Sequence, residues 1–405
     1  MTVLRFLTAG ESHGPTLTGI IEGMPAGLEL AEEYINRELA RRQQGYGRGG
    51  RMAIETDQVR ILSGVRWGKT LGSPITLQIA NRDWENWQVE MAIGLPDEEV
   101  DVDLVSRPRP GHGDLAGMLK YRTRDARNIL ERASARETAM RVAIGAVARR
   151  LLEHFGMEII SHVIQIGEIR AQRFPKDAKE IRAQAEASPL RCSDPEAARL
   201  MANEIDAARA QGDSLGGIFE VIVLHVPAGL GSHVHWDRRL DGRIAQGVMS
   251  IPAIKAVEIG LGKDCAVLPG SKVHDEIYYD ASHGGRSSFL WRGKRWCTSG
   301  GFSRKTNRAG GIEAGMTNGA PLVVRAAMKP IPTLYRPLMS VDVLELEPSF
   351  AGIERSDICA VPAAAVVGEA VTAWTLAEAC LEKFPGDSLL EMATAYQEHL
   401  ESLVP

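Results

Sequence analysis

Apolar residues spaced three and four apart mark the helices of this chain. Met140, Ile144, Ala148, Leu151 and Phe155 keep that rhythm, which lines one face of an α-helix. Ser134-Ala-Arg-Glu137 precedes the run as an S-x-x-E capping box, a pattern whose side chains satisfy first-turn N–H groups. Gly156 stands where a C′ glycine would close the helix. Asp194 as cap and Pro195 at the first helical position open a second helix, which runs to about Gln211 and ends at Gly212. Pro362 opens a long helix to about Lys383, Pro385-Gly386 stops it, and a short last helix covers about 388–403. Short β-branched runs at 58–63, 75–79, 219–226 and 322–327 read as strands. Long helices mixed with hairpin-like strands predict an α+β fold with helices packed on sheets. No tandem repeat or linker interrupts residues 1–405, so one intertwined domain is expected. The stretch 279–305, rich in Gly, Ser and Arg with two tryptophans, reads as a surface excursion.

Composition narrows the class. Of 405 residues, 44% are apolar and 24% charged, enough to bury a core. A net charge of −5 argues against a nucleic-acid partner. The first residues, MTVLRFLTAGESHG, have too short an apolar run for a signal peptide. The longest apolar stretch, 361–379, is broken by Gly368, Glu369 and Glu378, so no membrane span is expected. Five scattered cysteines without a C-x-x-C pair argue against a disulfide framework or structural zinc and for a reducing cytoplasm.

The candidate chemistry lies in glycine-rich loops. His13 in Gly10-Glu-Ser-His-Gly14 and His112 in Arg107-Pro-Arg-Pro-Gly-His-Gly-Asp114 sit where a ligand can approach, and histidine titrates near neutral pH. A capping or core role is the alternative for each. Asp114 is placed to orient the His112 ring or raise its pKa. Arg132-Ala-Ser-Ala-Arg136 stands at a helix start, where N–H groups favour anions; solvated arginines are the other reading. Arg41-Arg-Gln-Gln-Gly-Tyr-Gly-Arg48-Gly-Gly-Arg51 is either an anion clamp or a solvated Arg/Gly segment. Lys329-Pro-Ile-Pro-Thr333 is a rigid turn able to frame a planar ring, and Arg355-Ser-Asp357 pairs a cation with a carboxylate. His233 and His235, two residues apart, would share a strand face, but no third ligand lies nearby in sequence, so no metal is assigned.

Taken together, TAGESHGPTLTGIIEGMPAG, RRQQGYGRGGRM, RPRPGHGDLAGMLKY, ILERASARETAMRVA, SIPAIKAVEIG, TNRAGGIEAGMTNG, AAMKPIPTL and RSDICAVPAAAVV closely resemble the chorismate synthase family over nearly the whole chain. The resemblance implies a β-α-β sandwich with helices layered between antiparallel sheets, usually as a homotetramer. It implies a 1,4-elimination of phosphate from 5-enolpyruvylshikimate 3-phosphate, using reduced FMN without net redox change. It assigns catalysis to His13, His112 and Asp357. It assigns flavin contacts to Arg132, Ala133, Ser134, Pro252, Ala253, Ala314, Lys329, Pro330, Ile331, Pro332, Thr333 and Arg355. Arg42 and Arg48 match a pair assigned to a pyridine nucleotide or to the substrate end. With no dinucleotide fold recognisable, NADPH is expected to act indirectly, through an external flavin reductase. Two departures stand near the expected site: Gly113 where alanine is commoner, and Ala314 where a second glycine is frequent. The rivals are a non-catalytic flavin carrier, which would not need both histidines, and an RNA-binding protein, which the acidic charge opposes.

Overall fold

The computed structural model describes residues 4–48, 56–95, 104–175, 177–280, 288–353 and 356–403. Near its start the chain alternates buried and exposed positions and builds a four-stranded sheet. Its strands are β1 (Arg5–Ala9), β2 (Thr16–Glu22), β3 (Val59–Ser63) and β4 (Ile75–Ala80), ordered β1-β2-β4-β3 and antiparallel throughout. Between β2 and β3 runs α1 (Glu32–Gln43), with acidic residues in its first turn and Arg41 and Arg42 in its last, the arrangement that the helix dipole favours. Three helices follow: α2 (Asp114–Tyr121), α3 (Arg127–Ala133) and α4 (Thr138–His154). A second antiparallel sheet comprises β5 (Glu158–Ile166), β6 (Ile169–Arg170), β7 (Gly217–Leu224), β8 (Ile254–Ile259) and β9 (Leu322–Met328), ordered β8-β9-β7-β5-β6. The later helices that bear on the site and the core are α5 (Pro195–Ala210), α6 (Leu240–Met249), α7 (Val361–Lys383) and α8 (Leu389–Ser402).

The helices α1, α4 and α7 form the layer between the sheets: α4 packs on the first sheet, α7 on the second, and the two pack on each other. Both are buried nearly all round. That explains why α7, apolar and long enough to cross a membrane, is a core helix with 94% of its apolar window buried. A glycine sets the spacing at each seam. A Cβ on Gly19 of β2 would meet Met140 Sδ at 2.6 Å, one on Gly145 of α4 would meet Ala370 Cβ at 2.4 Å, and one on Gly368 of α7 would meet Phe219 Cε2 at 2.5 Å.

The expected α5, α7 and α8 are present, with Asp194 accepting from the Glu196 and Ala197 N–H groups and Ser388 and Glu391 forming a true capping box. The four expected strands are present within two residues at each end. Two expectations are corrected. Ser134 does not cap α4: its hydroxyl accepts from the Arg136 N–H and caps a 3₁₀ turn at Ala135–Glu137, and α4 begins at Thr138. Glu137 is drawn away, accepting from Thr8 Oγ1 and Arg141 Nε. The 279–305 stretch is not simply a surface excursion. Ser288–Trp291 and Lys294–Cys297 form a hairpin whose Phe289, Trp291 and Trp296 are buried, and Trp291 Nε1 donates to His154 O at 2.8 Å. One face of the hairpin is apolar, a signal hidden by the polar residues between; 281–287 lie outside the described residues.

In the helix layer sits Glu369, its side chain 1% exposed. It accepts from Arg41 at 2.7 and 2.9 Å, Arg149 at 2.6 Å, Arg191 at 3.3 Å and Ser161 Oγ at 2.6 Å. Burial favours the neutral acid, but the guanidiniums, Arg41 first, outweigh it and hold the carboxyl well below the usual range. Glu369→Ala is expected to lower the unfolding free energy by about 3–5 kcal/mol, the cost of stranding buried charge, measured by urea denaturation at neutral pH. The carboxyl is more acidic folded than unfolded, so its contribution is complete above about pH 4.5 and is lost as pH falls below that.

Candidate active site

The N-terminal ends of α4 and α7 open into one cavity of about 420 Å³, within the roughly 300–1,000 Å³ of small-molecule sites. Thr138 of α4, Ala360 at the N-cap of α7, and Ala363, Ala364 and Val367 of α7 line it, so two helix N-termini border a space that favours anions. Arg42, Arg48, Arg109, Arg136 and Lys329 line the same cavity.

Each cation is held. Arg42, from the last turn of α1, donates to Thr138 Oγ1 at 3.1 Å and Ala135 O at 3.0 Å and lies 3.6 Å from Asp57. Arg136 also binds Asp57. Arg48 pairs with Asp357 at 3.1 Å, while its buried Nε has no hydrogen-bond partner. Arg109 is clamped by Asp114 through its backbone N–H and guanidinium, at 2.8–3.1 Å. Lys329 donates to Gly111 O at 2.5 Å. Gly111 (φ +80°) is required there, because a Cβ would meet Pro332 at 2.9 Å.

The histidines meet opposite surroundings. His13 places Nδ1 2.9 Å from both carboxylate oxygens of Glu131, and its backbone N–H donates to Oε2 at 2.9 Å. Its ring stacks on Trp87, with centroids 3.7 Å apart. Against desolvation, the His13 and Arg127 contacts hold the Glu131 carboxyl below its usual range. His112 has cations for neighbours. Its Nδ1 is buried without a hydrogen-bond partner, and Nε2 lies 3.4 Å from Thr333 Oγ1. Desolvation first, then Arg109 and Lys329, push its pKa down to about 4, with Asp114 opposing. The expectation for Asp114 holds in part: its charge raises the His112 pKa against the larger lowering effects, but its hydrogen bonds go to Arg109 and not to the ring.

Of the other expected residues, Ala133, Ser134, Pro252, Ala253, Ile331, Pro332, Thr333 and Asp357 line the cavity. Arg132 does not; it donates to the carbonyls of Thr8 and Gly10 at 2.9 and 3.1 Å. Pro330 is outside the lining, between Lys329 and Ile331. Ala314 (φ +49°) sits in a separate hairpin, Ile312–Glu313 with Met316–Thr317, held against α6 by Leu240 N donating to Gly315 O. Arg355 lies outside the described residues. His235 stands beside a 3₁₀ turn rather than in a strand, and its Nδ1 contacts Asp237 at 2.7 Å. Sequence reading missed Asp57, Trp87 and Glu131. The last is 118 residues from its partner His13, and local spacing does not mark it.

Two histidines in opposite electrostatic settings, ringed by cations at paired helix N-termini, define an enzyme site for proton transfer on a small polyanion. A family model described as chorismate synthase matches residues 4–381. A relative from Desulforamulus reducens named chorismate synthase is 59% identical over 391 residues, covering 96% of each chain. One of the same name from Geobacter metallireducens is 58% identical over 406 residues, covering 99% of each. A solved structure described as a chorismate synthase crystal structure aligns with a TM-score of 0.77 at 45% identity, covering 99% of this chain and 98% of that one. The chain belongs to the chorismate synthase family and is a lyase.

In the ligand-free protein, His112 is expected to titrate with a midpoint of about 4 in NMR spectra of its ring. Lys329→Met, which removes a neighbouring cation, is expected to move that midpoint upward; an unchanged midpoint would remove the electrostatic account.

Proposed function

We propose that this chain carries out the reaction of its family in the cavity described: elimination of phosphate from 5-enolpyruvylshikimate 3-phosphate to give chorismate, with reduced FMN as the flavin. The reading is carried by one observation, the convergence of His13, His112, Asp357 and five cationic side chains on one cavity. The substrate has two carboxylates and a phosphate, and FMN adds another phosphate, so the anion load matches the cations.

The residues present fit a flavin. Ile251, Pro252 and Ala253 form an apolar wall, with Ala253 in the left-handed region at φ +68°. Gly111 approaches Pro332 closely, and the unpartnered His112 Nδ1 and Lys329 supply polar contacts. Ala133, Ser134 and Thr333 complete the holding set. When bound, a reduced flavin lends electron density to the breaking carbon–oxygen bond and takes it back.

The chain's own residues manage the anions and protons. Arg42, Arg48 and Arg136 hold substrate anions against two helix N-termini. His13, with a carboxylate on its ring, is the histidine suited to carry a proton to the leaving phosphate. His112, disfavoured as a cation by burial first and then by Arg109 and Lys329, holds the flavin side. Asp357 leaves its pairing with Arg48 to take up the proton that elimination releases. The reading extends to a homotetramer, a cytoplasmic location and a separate flavin reductase drawing on NADPH. Five free cysteines, three of them buried, support the location.

Anaerobic mixing of the pure chain, dithionite-reduced FMN and 5-enolpyruvylshikimate 3-phosphate should release chorismate and phosphate in equal amounts, and neither with oxidised FMN. His13→Ala should lower kcat about 10²–10⁴-fold, the usual contribution of a general acid; wild-type turnover would remove His13 from the mechanism. NADPH should not be oxidised by the chain and FMN alone, and light scattering should give four times the 44.1 kDa chain mass.

A further inference from the structure

His13 is held at more points than a loop histidine needs. The Ser12 N–H donates to Glu131 O at 3.0 Å, and Asn81 Nδ2 donates to Gly14 O at 2.9 Å. Between these anchors, the Glu131 carboxylate takes both the backbone N–H and Nδ1 of His13. The Glu131 side chain is 2% exposed. The carboxylate accepts from the His13 backbone N–H and, at 3.2 Å, from Arg127 Nη1; an ionised carboxylate offers no hydrogen, so the Nδ1 facing it must carry one. Trp87 fixes the ring plane by stacking at 27°. Its own Nε1 is tied to Asp83 Oδ2 at 2.9 Å, and Arg127 lies 5.3 Å over its ring.

We propose that Glu131 is a positioning residue for the reaction: by holding the Nδ1 proton and backbone N–H of His13 together, it assigns proton delivery to Nε2. The inference rests on His13 being the acid that serves the leaving phosphate. The proton balance is closed. The imidazolium gives its Nε2 proton to a phosphate oxygen as the carbon–oxygen bond breaks. It is left as the neutral Nδ1–H tautomer, the form the carboxylate binds. Glu131 gains no proton, as with the aspartate of a serine-protease triad. An amide cannot do the same, since its single oxygen accepts while its NH₂ faces a donor.

The test joins a spectroscopic and a kinetic readout. In ¹⁵N NMR of the ligand-free chain, at a pH above the His13 midpoint, the wild-type ring is expected as the Nδ1–H tautomer. In Glu131→Gln it should shift toward Nε2–H. The same variant should lose kcat on the order of 10²-fold with KM little changed, and Glu131→Asp, which keeps the charge, should recover part of it. An Nε2–H tautomer in the wild type would overturn the proposal whether or not a variant folds, as would Glu131→Gln at wild-type kcat. Failure of the parent reading shows separately: His13→Ala would turn over normally while the tautomer stayed Nδ1–H.

Discussion

The Glu369 carboxylate is the constraint on which the rest of the structure depends. It lies between Gly368, packed on Phe219 of the second sheet, and Ala370, packed on Gly145 of α4. Its arginine partners come from α1, α4 and the segment just before α5, and Ser161 of β5 adds a hydroxyl. A buried ion cluster is weak evidence of stability, because desolvation offsets the attraction. What it contributes is register: helices with apolar faces slide easily, and one carboxylate bound by three guanidiniums does not let them. Arg41 turns inward to Glu369, and its neighbour Arg42 turns to the cavity. The last turn of α1 thereby couples the core directly to the site.

The cavity then faces a self-repulsion problem. Two helix N-termini and five cations in so small a space repel one another. Asp57, Asp114 and Asp357 relieve this, each on a different arginine. The same compensation separates the histidines. His13 is on the side of Glu131, and His112 is among Arg109 and Lys329. Opposite surroundings are how a single site gives two like groups different roles.

How much of this was legible in the sequence depended on the range of the signal. The Asp194-Pro195 helix start and the Ser388 cap are local patterns, and both were readable. The strands β2 and β5 were missed, because β2 begins in a loop motif and β5 is buried along most of its length, which removes the alternation that marks a half-exposed strand. Ser134 and Glu137 formed a convincing local pattern that tertiary partners overrode: Glu137 is engaged by Thr8 and Arg141. The site's glycine-rich loops were found through family resemblance, since their spacing alone left the bland readings open. Local spacing does not mark Asp57 and Glu131, the carboxylates that tune the site, as partners of Arg136 and His13, which lie 79 and 118 residues away; the Arg127–Glu131 pair at i,i+4 reads in sequence only as an ordinary helix ion pair.

The surroundings of the two histidines also bear on what ligands do to the site. Burial first, then Arg109 and Lys329, keep the His112 pKa low in the unliganded protein, and anions arriving beside those cations screen their share of it and ease protonation. Arg48 is bound to Asp357, and a substrate anion competes for the same guanidinium, releasing the carboxylate as it binds. His13 needs no such change, because Glu131 belongs to the fold. On this reading the proton donor for the leaving group is prepared by folding, while the groups that receive protons are prepared by ligand binding. Complete proton machinery then exists only when the anions are in place, which suits a site whose reaction must begin with all of its reactants bound.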